Sequence, residues 1–164
     1  MKVLTVKHPW AWLICAGLKD IENRPRKTSH RGPLLIQSSA KMIAPAEWDE
    51  ALRFCAARAV ELPPRDTLLY GGIVGMVEVT GCVAQSKSPW FVGPWGYTLA
   101  RGRGLPFIPL RGQLSIFDAP LTVLERLTLP VDSAPLLFPY GNQRIRRRRT
   151  GDRRNRNYCS PIVR

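Results

Sequence analysis

Short apolar runs separated by Gly and Pro dominate the first half of the chain, and they predict short strands with two helices between them. Val3-Leu4-Thr5-Val6 reads as a strand; His8-Pro9 breaks it and opens a short helix with Pro at its first position. Trp10, Leu13, Ile14 and Gly17 fall on one face of that helix, and Gly17, free to adopt the left-handed conformation, marks its end. After Gly32-Pro33, the mostly apolar Leu34-Leu35-Ile36-Gln37-Ser38 predicts a central strand. From Pro45 to Val60, Trp48, Leu52, Cys55 and Ala59 recur at helical spacing, with Glu47, Asp49 and Glu50 near the start, where the helix dipole favours negative charge.

Pro63-Pro64 ends that helix, and Gly71-Gly72 leads into a Val-rich strand over Ile73 to Ala84, in which Glu78 alternates with Val74 and Met76 on one face. Ser86 to Arg103 is rich in Trp, Gly and Pro, the composition of a site-lining loop, with a strand expected at Trp95 to Leu99. Arg111 to Phe117 alternates and is expected to be the last major strand. Five or six short strands with two helices place the chain in the α+β class, as a small mixed β-barrel with flanking helices.

Composition divides the chain at residue 141. The 164 residues are 45% hydrophobic and 23% charged, an ordinary globular balance. From Asn142 onward, nine arginines stand against Asp152 alone, a net +8, while the body holds 16 basic and 11 acidic side chains. Residues 1–141 are therefore expected to form one domain and 142–164 a basic, disordered tail. A field of this sign favours polyanions, nucleic acid above all.

No stretch reaches the roughly 20 apolar residues of a membrane span, so no membrane partner is expected. Cys15, Cys55, Cys82 and Cys159 are far apart in sequence and read as reduced thiols; neither a metal site nor a cofactor is expected. Met1 to Leu18 carries two lysines and an apolar run. Pro9 precedes that run and no small-x-small cleavage site follows, so a cytoplasmic location is expected. Phosphate-loop, nucleophile-elbow and zinc-helix motifs are all missing.

The densest polar group is Gly17-Leu18-Lys19-Asp20-Ile21-Glu22-Asn23-Arg24, which combines a potential base, an acid and an anion clamp. A Lys desolvated among apolar side chains becomes a usable base near neutral pH; a solvated turn with paired surface charges is the plainer reading. In an unbroken strand Lys19 and Glu22 have opposite parity, so only a bend brings both to one pocket. Glu78, set among valines, must face water or be paired. Trp90, Trp95 and Tyr97 are candidate stacking surfaces for bases, with core packing as the competing use.

Four blocks give the chain a resemblance to the ASCH domain family, a branch of the barrels related to the RNA-binding PUA domain. They are Leu4 to Ala11, Gly17 to Arg24, Arg31 to Ile36, and Gly93 to Tyr97 with Arg111 to Leu114. The resemblance implies a PUA-like barrel with a cleft beside the Gly-x-Lys-x-x-Glu-x-Arg segment, and RNA or a modified nucleoside or nucleotide as ligand. Some small members are amidohydrolases that deacetylate an acetylated cytidine with a Lys, a Thr and a Glu; others are reported as ribonucleases. Lys19 matches the Lys, Glu78 the Glu, and Glu22 stands where the Thr would be, exchanging a hydroxyl for a charge.

A binding role tolerates that exchange better than hydrolysis does, and binding is the first expectation. Lys19 and Arg24 would contact anionic oxygen, Glu22 would accept from a base edge, and Trp10, Ser38, Trp95 and Tyr97 would complete the ligand site. The alternative enzyme would use Lys19, Glu78 and Glu22 as catalytic groups. A protein-interaction adaptor whose tail docks on acidic partners is a third reading.

Overall fold

A computed structural model describes residues 1–128; the expected boundary at 141 and the basic tail lie outside the described residues. The chain runs β1 (Lys2–Val6), α1 (Trp10–Cys15), β2 (Ile21–Arg24), β3 (Gly32–Ser38), α2 (Pro45–Ala56), a 3-10 turn (Arg65–Thr67), β4 (Gly72–Val83), β5 (Trp95–Pro109), β6 (Ile116–Asp118) and α3 (Leu121–Thr128).

A strand with no polar alternation has to be covered on both faces, and β3 is. Leu34 to Ser38 are all buried, and the sheet order β2-β5-β4-β3-β1-β6 places β3 inside. Leu34 and Ile36 pack with Ala11, Ile14 and Cys15 of α1 on one face. Leu35 turns to the other, against Ile73, Ile108, Phe117 and Val123 of α3. β1 lies parallel to β3, and every other neighbouring pair is antiparallel.

The fold is α+β: among the described residues, a six-stranded mixed sheet curls into a half-barrel with three helices. The β4–β5 ladder slips register at three points, and such slips bend a strand and increase its twist. At Gly75, α1 and β5 come so close that an added Cβ would overlap Cys15 Sγ of the helix and Arg103 O of the strand.

Three expectations are corrected. The alternating Arg111 to Phe117 is not a major strand: only Ile116–Asp118 pairs, against β1, and the strand expected at Trp95 to Leu99 instead continues to Pro109. The buried face of α2 is Trp48, Ala51 and Cys55, with Leu52 40% exposed and Ala59 beyond the helix end. Helix α3 was not expected, although Val123 and Leu127 recur at helical spacing; Val123 is buried and Leu127 packs beside it on the second core cluster.

Candidate functional site

The site begins at the end of α1. Gly17 takes φ +72°, and the N–H groups of Leu18 and Lys19 both donate to Leu13 O, at 2.9 and 3.1 Å, which turns the chain sharply. The Leu99 N–H then donates to Asp20 O at 2.8 Å, and β2 starts only at Ile21. Lys19 therefore lies in the turn, where strand parity does not apply, and the predicted conflict with Glu22 vanishes. Lys19 Nζ donates to Glu22 Oε2 at 2.9 Å and to Ile21 O. Both side chains are buried, at 4% and 11% exposure.

These two residues form the floor of a cleft of about 460 Å³. Its walls are Trp10 from α1, Phe54 from α2, and Trp90 and Val92 from the loop before β5; Asn23 lies beside the floor, and the lining also includes Lys7, Glu47 and Glu50. Trp10 and Trp90 both pack on Phe54, with ring centroids 6.0 and 5.4 Å apart. Arg58 locks the wall from behind, its guanidinium 3.4 Å from the Phe54 ring centroid and its Nη2 donating to Pro89 O at 2.9 Å. Asn23 pins the loop through both ends of its amide, donating to Trp90 O at 2.8 Å and accepting from Val92 N–H at 3.0 Å. The Ser88 hydroxyl adds a bond to Asp20 Oδ1 at 2.6 Å.

The remaining candidates divide. Arg24 stands next to the cleft, its Nη1 3.9 Å from Glu22 Oε1 and 3.5 Å from Thr5 O. Trp95 is the cross-strand partner of Arg24 and does not line the cleft. Tyr97 is 5% exposed in the core, and its hydroxyl donates to Arg26 O at 3.0 Å. Burial pushes the Tyr97 phenol above its usual pKa, with Arg24 pulling the other way. Ser38 is fully buried, its hydroxyl bonded to Leu69 O and Gly72 O at 2.8 and 3.1 Å.

Glu78 points elsewhere. Glu22 pairs with Tyr97, Tyr97 alternates with Leu99, and Leu99 pairs with Val79, so all four share one face. Glu78 adjoins Val79 and faces the opposite way, bonded to exposed Arg101 at 2.9 Å. The structure thus brings together Lys19, Glu22 and Trp10, with Arg24 adjacent, and leaves Ser38, Glu78, Trp95 and Tyr97 out of the cleft. Sequence reasoning did not assign Lys7, Asn23, Glu47, Glu50 or Phe54 to the site; the α2 acids looked like partners of the helix dipole, and nothing local showed that α2 folds over the β2 turn.

His8, outside the cleft lining, is 3% exposed and donates through Nε2 to Leu69 O at 2.9 Å. Burial lowers its pKa to about 4, against the opposing pull of that bond, so it stays neutral. Burial also pushes the Cys15 and Cys55 thiols up. Among the described residues no cluster of His, Cys, Asp and Glu has the makings of a metal site, and no helix is long and apolar enough to cross a membrane.

The ASCH domain family model matches residues 4–92, more than half of the chain, taking in the turn, the cleft floor and its aromatic walls. The chain belongs to the ASCH domain family. Within the curated proteins it is similar to activating signal cointegrator 1 of Homo sapiens, 34% identical over 87 residues, and of Mus musculus, 32% identical over 87 residues. Each match covers 51% of this chain and only 15% of the cointegrator. A crystal structure of a point mutant of an ASCH protein from Zymomonas mobilis aligns with TM-score 0.46 and 12% identity, covering 77% of this chain and 94% of that one.

Proposed function

We propose that this ASCH domain binds RNA or a modified nucleoside, with one base held in the cleft between α1, α2 and the loop before β5. The observation that carries the reading is the cleft itself: three aromatic rings around a buried Lys19–Glu22 pair, in a volume of about 460 Å³, within the range of small-ligand sites. A base would stack on the half-buried Trp10, and the free edge of Glu22 and the carboxylates of Glu47 and Glu50 would accept from its amino groups. The domain's free thiols, Cys15, Cys55 and Cys82, fit a cytoplasmic setting.

The hydrolytic reading gains less support. It needs Lys19 and Glu78 at one water, and Glu78 is turned to the other face of the sheet, while Lys19 is engaged by Glu22 and Ile21 O. The test is calorimetric titration with cytidine and with N-acetylcytidine, following acetate release in parallel. Binding without release is expected, and Trp10→Ala should weaken it by about 1–3 kcal/mol, the usual worth of one stacked base. An unchanged affinity in Trp10→Ala would remove the base from the cleft, and acetate release lost in Lys19→Ala would restore the hydrolase.

A further inference from the structure

The cleft and its surroundings differ in charge. Lys7 and Lys19 face Glu22, Glu47 and Glu50 in the lining, whereas residues 1–128 as a whole carry 16 Lys and Arg against 10 Asp and Glu. With Lys19 engaged by Glu22, the mouth presents Lys7 and two exposed α2 carboxylates. Carboxylates there disfavour a phosphate and favour a neutral group bearing N–H donors.

Positive charge resumes where the cleft wall ends. Residues 24–31, Arg-Pro-Arg-Lys-Thr-Ser-His-Arg, hold four cations and no acid. Since β5 and β4 lie between β2 and β3, this connector crosses three strand spacings, roughly 14 Å. It is tied down along the way. The Tyr97 hydroxyl of β5 holds Arg26 O at 3.0 Å, and the Thr28 N–H lies 3.5 Å from Cys82 Sγ of β4. His30 N–H donates to Thr28 Oγ1 at 3.1 Å, closing a local turn. Arg26, Lys27 and Arg31 remain exposed and form no ion pair among the described residues.

We infer that the β2–β3 connector is the phosphodiester track of a single-stranded nucleic acid, one base of which occupies the cleft. The inference rests on the cleft reading above and deepens it: the ligand is a strand, not a free nucleoside. Arg24 joins the two parts, between Glu22 and the track, and the strand is single because a paired base cannot enter a cleft without leaving its stack.

The test uses the full chain, with labelled ten-nucleotide oligocytidylates as RNA and as DNA, a duplex of the same length, and free cytidine, each titrated across a salt series. The single strands are expected to bind at least tenfold more tightly than cytidine at low salt. In Lys27→Ala/Arg31→Ala the salt slope should become shallower by about 0.7 for each lost phosphate contact, with cytidine binding unchanged. Trp10→Ala should weaken strand and nucleoside alike. Unchanged strand affinity and slope in the connector variant, with cytidine binding intact, would overturn the track and leave the cleft reading standing. Duplex binding as tight as the single strand would also overturn it. Failure of Trp10→Ala to affect either ligand would remove the cleft reading and the track with it. A preference between the RNA and DNA strands, with the connector effect present, assigns the sugar.

Discussion

The cleft floor and the outer face of β4–β5 each carry one Lys or Arg paired with one Glu at 2.9 Å, and the two pairs do different work. Lys19 and Glu22 are 4% and 11% exposed; Arg101 and Glu78 are 83% and 37% exposed. Water screens the second pair and can replace either partner, so its net contribution is small. The first pair has lost most of its hydration: Lys19 depends on Glu22 and Ile21 O, and Glu22 on Lys19 with Arg24 farther off at 3.9 Å. The same chemical couple is thus a fixed polar feature in one region and a surface contact in the other, and burial alone makes the difference.

Breaking the inner pair should have the largest effect. Lys19→Ala leaves the buried Glu22 side chain with only Arg24, at 3.9 Å, beside it, and the expected loss is about 3–5 kcal/mol in urea unfolding. Replacing both, as Lys19→Met with Glu22→Leu, should restore most of that stability while leaving nucleoside binding impaired. Recovery of stability together with full affinity would show that the pair is only structural.

His8 extends the comparison to a buried group that titrates. The unfolded chain takes up its proton near pH 6.5, the folded protein only near 4. Between those values the unfolded state binds more protons, so this contribution is complete above pH 6.5 and is lost as the pH falls toward 4. The expected loss is roughly 3 kcal/mol. His8→Gln should flatten the profile over that window relative to the parent protein, as read from urea midpoints at pH 7, 5.5 and 4.5.

Burial also decides what was legible in the sequence. β3 could be read because a short, mostly apolar run directly after Gly32-Pro33 fits a buried strand, and Gly17 because a left-handed residue suits a helix end. The Lys19–Glu22 pair was half legible: both residues stood out, but strand parity separated them, and only the turn that delays β2 to Ile21 puts them together. Tyr97 and Ser38 have side chains suited to a site, and their burial depends on strands far away in the chain. Glu47, Glu50 and Phe54 reach the cleft because α2 packs over the β2 turn through Cys55, Leu13 and Ile21, contacts between segments that no local period connects.

The smallest effect belongs to the outer pair. Glu78→Ala and Arg101→Ala should each change stability by less than about 1 kcal/mol, and the double variant should show a coupling of the same small size. Base binding should be unchanged in all three, since Glu78 faces away from Glu22 across the sheet. The glutamate that best matches the family's hydrolytic acid would then be dispensable for the cleft. If Glu78→Ala instead weakened cytidine binding as Trp10→Ala is expected to, the face assignment from strand pairing would fail, and the two regions would be one site.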